Sequence, residues 1–384
     1  MNPPGKVFSV LKRPIFYWVR GLRKLDHSLT VRFLGKMKGR SRGKQYAISG
    51  RRLIFIFENI GDTVRAAPVL NRLDGNDWVV CTKYNSAIVE MLGLENVVVT
   101  NRDPGLFDFL KLLSRLKPMS FSASIILDCT KSGGFGVVCS RFLKTGKIYS
   151  GFETGVEGDV HTTDISFEDD EVDILSLAKA SIAKEIFFAV GERPRKEVNI
   201  QCYDAFKNYE DFIGIHIGGI GSVNYAVSRR YPDEHILELT MTLLNKGYKV
   251  LFTGDMADRE RFAKYAKMIR SEKGVADLSG KLDIKQLACL LKYLKCYITP
   301  DNGTLHLAQA VGCRKVLAII GPTSPALVRG RNTEIIRLDL PCSPCIEFIK
   351  FPAKCVNAEN NACLNKLRPE IIFKRIVSHI EKGG

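Results

Sequence analysis

The chain has 384 residues, 45% of them apolar, and a formal net charge of +16. That length and apolar content suit two ordinary domains with sizeable cores and exclude a globally disordered chain. The charge does not mark the whole body as nucleic-acid-binding: residues 1–50 hold twelve Lys/Arg against the single acid Asp26, a net +11.

Residues 1–50 read as a basic amphipathic N-terminal helical appendage. Leu11, Ile15, Trp18, Val19, Leu22, Leu25, Leu29 and Phe33 recur at steps of three and four, with Lys12, Arg13, Arg20, Arg23 and Lys24 among them. Charges interrupt every run that would have to reach the ~20 apolar residues of a spanning helix. Such a pattern predicts contact between residues 7–36 and an anionic membrane surface, or else packing on the protein's own body. The charges also argue against a signal peptide, and no RNP or KH pattern points to nucleic acid.

After it the rhythm is that of α/β structure. The apolar run Leu53–Phe57 predicts a strand buried on both faces, followed by the turn Asn59-Ile60-Gly61-Asp62 and a helix over 64–73. Further strands are predicted at 78–81, 97–99, 124–127 and 147–149, with helices such as 86–92 and 106–116 between them. Gly191–Arg195 reads as a linker or late loop. A second series opens with Phe212-Ile213-Gly214-Ile215-His216-Ile217-Gly218-Gly219, again a strand running into a glycine turn. Helices are predicted at 233–246 (stopped by Gly247), 258–270, 284–294, 304–311 and 369–382, and strands at 249–252, 296–298 and 315–320. The fold class is therefore α/β with two Rossmann-like domains and a cleft between them.

Chemistry-bearing residues collect at strand-to-helix junctions. Thr299-Pro300-Asp301-Asn302-Gly303-Thr304-Leu305-His306 packs an acid, a glycine and a histidine into such a junction. Loop and helix N–H groups there can hold phosphates and sugars, while Gly303 would let the backbone approach a ligand. The competing reading is a capped helix in which Asp301 and Thr304 serve only the backbone. Asp62, read as preceding its helix, suits a general base or an ordinary N-cap. Gly218 and Gly219 suit contact with a diphosphate, though they form no G-x-G-x-x-G fingerprint. Arg229 and Arg230 could neutralise a leaving phosphate or stand solvated at a helix start. The acidic run Glu168–Asp173 reads as a solvated loop, not a metal site.

Eleven cysteines without a secretory pattern argue for a reducing compartment. Seven are scattered through apolar segments. The other four, Cys342, Cys345, Cys355 and Cys363, are clustered at spacings open to three readings: a structural metal, burial, or disulfides.

Ile60-Gly61-Asp62 with Ala67-Pro68-Val69-Leu70, His216–Gly219, Arg229-Arg230-Tyr231-Pro232, Asp277-Leu278-Ser279-Gly280, Asp301–Ala308 and Gly321-Pro322-Thr323 form an ordered set. In order and spacing that set resembles the ADP-heptose:lipopolysaccharide heptosyltransferases, glycosyltransferase family 9, over about residues 51–380. The resemblance implies a GT-B fold: an acceptor domain over 51–197, a nucleotide-sugar domain over 198–367, and a C-terminal helix over 368–384 packing back on the acceptor domain. It implies inverting transfer of heptose from ADP-heptose to a lipopolysaccharide or lipooligosaccharide core acceptor. Asp62 would be the base, with Asn59 and Gly61 on the acceptor side. Gly218, Gly219, Arg229, Asp301, Gly303, Thr304 and His306 would bind the donor. No cofactor or catalytic metal is implied. The partners would be a nucleotide sugar and a glycolipid, and the place of work the cytoplasmic face of the bacterial inner membrane. Arg229-Arg230-Tyr231-Pro232 departs from the family's usual Lys-x-Trp-Pro, keeping a charge and an aromatic wall. Glu58-Asn59 stands where small hydroxyl residues are common, which points to a different acceptor. The same chemistry with another nucleotide sugar, and a non-catalytic glycan- or nucleotide-binding protein, are the alternatives; hydride transfer lacks its fingerprint.

Overall fold

The computed structural model describes residues 50–57, 59–71, 73–127, 133–150, 204–218, 229–269, 272–330, 332–346, 355, 357 and 359–382. The basic N-terminal segment, Gly219, the acidic run, the linker at 191–195, Cys129 and Cys202 lie outside the described residues. Among the described residues no helix is long and apolar enough to cross a membrane.

The chain divides into two compact units. The first holds a five-stranded parallel sheet of β1 (Arg52–Ile56), β2 (Trp78–Thr82), β3 (Val97–Thr100), β4 (Ala123–Ile126) and β5 (Lys147–Ser150), in the order β3-β2-β1-β4-β5. Its unbroken apolar strands are what a sheet covered on both faces requires. Along the chain, α1 (Ile60–Arg65) and α2 (Ala67–Leu70) follow β1, and α3 (Ser86–Met91) follows β2. Next, α4 (Leu106–Leu116) follows β3 and α5 (Gly133–Phe142) follows β4. A relay of edge-on rings fills the core: Phe57 on Phe135, Phe109 on Phe135, and Phe109 on Phe142, at centroid distances of 5.8, 6.2 and 5.2 Å.

The second unit holds a six-stranded parallel sheet, β11-β10-β9-β6-β7-β8. Its strands are β6 (Phe212–His216), β7 (Lys249–Thr253), β8 (Val275–Asp277), β9 (Cys296–Pro300), β10 (Val316–Ile319) and β11 (Thr333–Ile336). Its helices are α6 (Asp233–Asn245), α7 (Met256–Ile269), α8 (Ile284–Tyr293), α9 (Gly303–Ala310), α10 (Ala362–Asn365) and α11 (Pro369–Lys382). In both sheets the first strand of the series is central and the strand order reverses beside it. That reversal is a topological switch point, where ligands of doubly wound sheets bind outside the strand C-termini. The turns after β1, β6 and β9 carry the motifs singled out above.

Several local expectations need correction. The helix expected over 64–73 is two helices, and the first begins at Ile60. Pro68 cannot donate back to Val64, so α1 closes with Ala66 N–H on the carbonyls of Asp62 and Thr63, and α2 restarts with Pro68 in its first turn. The short edge strands β8 and β11 escaped the sequence reading, because partly open edge segments lack a continuous apolar run. Residues 60–67 group with the second unit, not with the domain of 51–197. The last helix, α11, contributes to the second unit's own core: Ile372 and Ile376 are fully enclosed with Leu239, Leu243 and Leu367. Tyr231 joins the same core and donates its hydroxyl to the carbonyl of Leu367 at 2.6 Å. It therefore ties down the C-terminal region and does not form a ligand wall.

Gly214, central in β6, shows how tightly the second sheet is closed. A Cβ there would stand 2.5 Å from Leu294 Cδ1 and 2.8 Å from Tyr297 Cδ2, both fully buried. Gly214→Ala is expected to lower stability by about 1–3 kcal/mol, as overpacking does; an unchanged urea midpoint would refute this account of the glycine.

Candidate functional site

The turn after β1 is joined to the helix after β9 by a glycine–glycine contact. A Cβ on Gly303 would lie 3.3 Å from Gly61 N and from Ile60 Cβ, and a Cβ on Gly61 would lie 3.0 Å from His306 Cδ2. Residues 60 and 61 thus close on the side of Gly303 where a Cβ would stand. Two helix starts, α1 and α9, meet there backbone to backbone.

Arg65 locks this junction. It is buried, and its guanidinium donates to the carbonyl of Leu327 and, at 3.0 Å, to His306 Nε2. Arginine has no acceptor, so His306 Nε2 accepts and Nδ1 carries the proton, donating to Gln309 Oε1 at 3.3 Å. The Gln309 amide in turn donates to Val328 O and Thr333 Oγ1. The other terminal nitrogen of Arg65 stands 3.8 Å from Asp62. Asp62 lies in the first turn of α1 and is not its N-cap. Its side chain keeps 26% of its surface open, so the carboxylate can reach a bound molecule. Asn59, exposed just before it, accepts from Arg102 at 2.8 Å.

At the start of α9 the cap is Asn302, not Asp301 or Thr304. Its Oδ1 accepts from Thr304 N at 2.9 Å, Leu305 N at 3.2 Å and Thr304 Oγ1 at 2.7 Å. Those bonds orient the amide, and its Nδ2 is left buried without a hydrogen-bond partner among the described residues. An amide donor held dry in this way costs about 1–3 kcal/mol, which a ligand oxygen would return.

Asp301 is spoken for. Its Oδ2 accepts from Thr323 Oγ1 at 2.7 Å and pairs with Arg229 at 2.9 Å, with side-chain exposures of 7% and 13%. Arg229 and Asp301, expected to meet a ligand separately, are thus brought together as a buried ion pair. Breaking such a pair from one side leaves an uncompensated charge. Arg229→Leu is expected to cost about 3–5 kcal/mol in urea unfolding, and Arg229→Leu with Asp301→Leu markedly less; equal costs for the single and double variants would contradict this pairing.

The turn after β6 is rigid for a different reason. A Cβ on Gly218 would fall 2.3 Å from Asp258 Oδ2 and 2.6 Å from His216 Nε2, so the glycine makes room for protein groups. Asp255 and Asp258 cap α7 reciprocally, each carboxylate accepting from the other's N–H. His216 Nδ1 lies 3.1 Å from Thr253 Oγ1 and 3.3 Å from Tyr297 Oη, and the tyrosine hydroxyl donates to Thr304 Oγ1 at 3.3 Å. A hydroxyl chain therefore connects the ends of β6 and β7, through Tyr297 of β9, with the start of α9.

Burial pulls the His216 pKa down to about 4, with Asp255 opposing and Arg261 adding to the fall. The unfolded chain binds this proton near pH 6.5 and the folded chain only near pH 4, so the unfolded state gains protons first on acidification. Stability is expected to fall from pH 6.5 to pH 4, by up to about 2 kcal/mol once the residue's open edge is discounted. His216→Gln should flatten that window in pH-dependent unfolding; an unaltered slope would remove His216 as the cause.

The four clustered cysteines are free thiols. Among the described residues no group of three or more His, Cys, Asp or Glu is placed to hold a metal ion. Cys355 Sγ accepts from Asn361 N at 3.3 Å, and Asn357 Nδ2 donates to Cys342 Sγ at 3.5 Å. Burial, then the neighbouring Cys345, Cys355 and Cys342, pushes the Cys363 thiol up to about 11, so it stays protonated.

Residues 219–353 match the family described as Glycosyltransferase family 9 (heptosyltransferase). Arg229, Asp301, Asn302, His306 and Thr323 lie in the segment that matches family 9, whereas Asp62 and Arg65 lie outside it. Lipopolysaccharide heptosyltransferase 2 of Salmonella typhimurium is 31% identical over 111 residues, 28% of this chain and 32% of that protein. The chain thus spans about a third of the length of that curated relative. The solved Escherichia coli ADP-heptose lps heptosyltransferase II is similar with a TM-score of 0.59 at 16% identity, over 86% of this chain and 99% of that one. The E. coli heptosyltransferase WaaC with ADP-2-deoxy-2-fluoro heptose gives 0.56 at 16%, over 86% and 99%. At these identities the likeness is one of fold, the paired doubly wound sheets of the GT-B class.

Sequence reasoning missed Arg65, Asn302, Gln309 and Thr323 as members of the site. An arginine in the apolar run Val64–Ala67 was the available signal for the first, since such a charge is rarely buried unpaired. Thr323 stood in the motif Gly321-Pro322-Thr323, but nothing local gave it a partner, which lies 22 residues earlier.

Proposed function

We propose that the protein is an inverting glycosyltransferase that moves heptose from ADP-heptose to a lipopolysaccharide or lipooligosaccharide core acceptor. The observation that carries this reading is the junction of α1 with α9. It sets the part-open carboxylate of Asp62 on a turn packed beside a helix start that holds an unpaired amide donor. The family 9 segment and the solved heptosyltransferase bound to an ADP-heptose analogue supply the donor class.

In this reading Asp62 takes the proton of the acceptor hydroxyl as its oxygen attacks the anomeric carbon from the face opposite the diphosphate. One displacement inverts the centre, so no enzyme nucleophile is needed. The Asn302 amide and the N-terminal end of α9 receive donor oxygens, and their partial positive charge favours the departing diphosphate. Arg229 contributes through Asp301, whose position it holds; Gly218, Gly219, Thr304 and His306 shape the donor side; Asn59 and Gly61 border the acceptor. Arg65 keeps Asp62 and His306 in register. The chain requires no metal in this scheme. Residues 7–36 would bring the enzyme to the cytoplasmic face of the inner membrane, where a glycolipid acceptor is presented.

Asp62→Asn is expected to lower transfer by about 10²–10⁴-fold while leaving ADP binding near wild type. The measurement is product mass after incubation with truncated core acceptors and ADP-heptose, UDP-sugars or GDP-sugars in parallel. Turnover of another donor in preference to ADP-heptose would reassign the substrate. Absence of transfer from every donor, with intact nucleotide binding, would favour a binding protein.

A further inference from the structure

The helix α4 has two apolar faces and a use for only one of them. Phe109, Leu112 and Leu116 are buried in the first unit's core. Leu106, Phe107 and Leu110, at neighbouring positions on the other side, are exposed at 46%, 79% and 55%. Spacings of three and four residues place them over one another on the helix surface. Folding gives no return on this second face, because it touches water.

Its surroundings are cationic. Lys111, Arg115 and Lys117 are exposed on the next turns of the same helix and just beyond it. The helix's own acid, Asp108, is turned to its start, where it accepts from Asn101 Nδ2 at 2.8 Å and Gly105 N at 3.2 Å. Asp103, partly open, precedes the helix. Arg102 is exposed and stacks 4.5 Å over the Tyr84 ring, itself 46% exposed.

We propose that the exposed face of α4 is a membrane-contact surface, with Leu106, Phe107 and Leu110 entering the headgroup region of an anionic bilayer and Lys111, Arg115 and Lys117 pairing with lipid phosphates. The three apolar side chains offer on the order of 300 Å², well short of the ~800 Å² per partner of a stable protein interface. An aromatic and two leucines flanked by lysine and arginine suit interfacial insertion, where little apolar area suffices because charge adds to it. One such element binds weakly and reversibly, and lasting attachment takes two. The basic stretch of residues 1–50, net +11, is a second element of matching chemistry.

The test uses the full chain and sedimentation with vesicles of phosphatidylcholine alone or mixed with phosphatidylglycerol. Phe107→Asp with Leu110→Asp is expected to lower partitioning to the mixed vesicles at least ~10-fold. Lys111→Gln with Arg115→Gln should lower it roughly fivefold per charge and weaken its salt dependence. Phe107→Trp, a change that leaves packing alone, should add a blue-shifted emission over the parent spectrum on mixed vesicles, quenched by brominated lipid. Unchanged partitioning of both double variants, or no shift at position 107, overturns the proposal. So does conversion of an oligomer to a monomer by Phe107→Asp, which would assign the face to a second copy. Exposure of residues 1–49 to protease in that variant, with vesicle binding intact, would assign it to the chain's own N-terminal segment. ADP binding and turnover of a detergent-free truncated acceptor should stay at parent level in all variants, so failure here is separable from failure of the proposed transfer.

Discussion

The site depends on the absence of two side chains. Gly61 and Gly303 let the starts of α1 and α9 approach until backbone meets backbone, with less than 3.5 Å between the place of a Cβ on one and the atoms of the other. Every polar group nearby takes its position from that approach. Arg65 reaches His306 and the Leu327 carbonyl only because the two helices are that close, and Asp62 is one turn of α1 away from the same arginine. A helix start alone would offer free N–H groups. Here Asn302 takes those of Thr304 and Leu305 and presents its own amide beside them.

Charge in the second unit is handled by pairing. Asp301 meets Arg229 and Thr323, and Asp258 is held by the cap of α7 with Arg261 nearby. His216 stays neutral among hydroxyls. A buried network of this kind is costly if any member is lost and holds geometry well while complete. That suits the proposed transfer, in which a departing diphosphate would meet donors that do not have to move.

How much of this was legible beforehand differs by element. Strands such as Leu53–Phe57 and Lys249–Phe252 announced themselves through unbroken apolar runs, and α6 through its acidic start and the Gly247 stop, which adopts φ of +81°. The final helix was placed to the residue, although an apolar stripe states that a helix packs but not on what. The junction motifs pointed to the right loops. Their contacts within the protein were not legible: Asp301 is ion-paired with Arg229, Tyr231 lies in the core, and Gly218 clears space for Asp258 and His216.

Local sequence determined the α/β alternation, the parallel strands and the glycine turns at their ends, because periodicity and turn chemistry act over a few residues. It also carried the ordered motif set through which the chain resembles a glycosyltransferase family. Only the tertiary structure decided that Arg65 meets His306, 241 positions away, that Thr323 meets Asp301, and that α4 keeps a greasy face outward. Such pairings follow from strand order, and strand order is set by packing across the whole sheet, which no window along the chain contains.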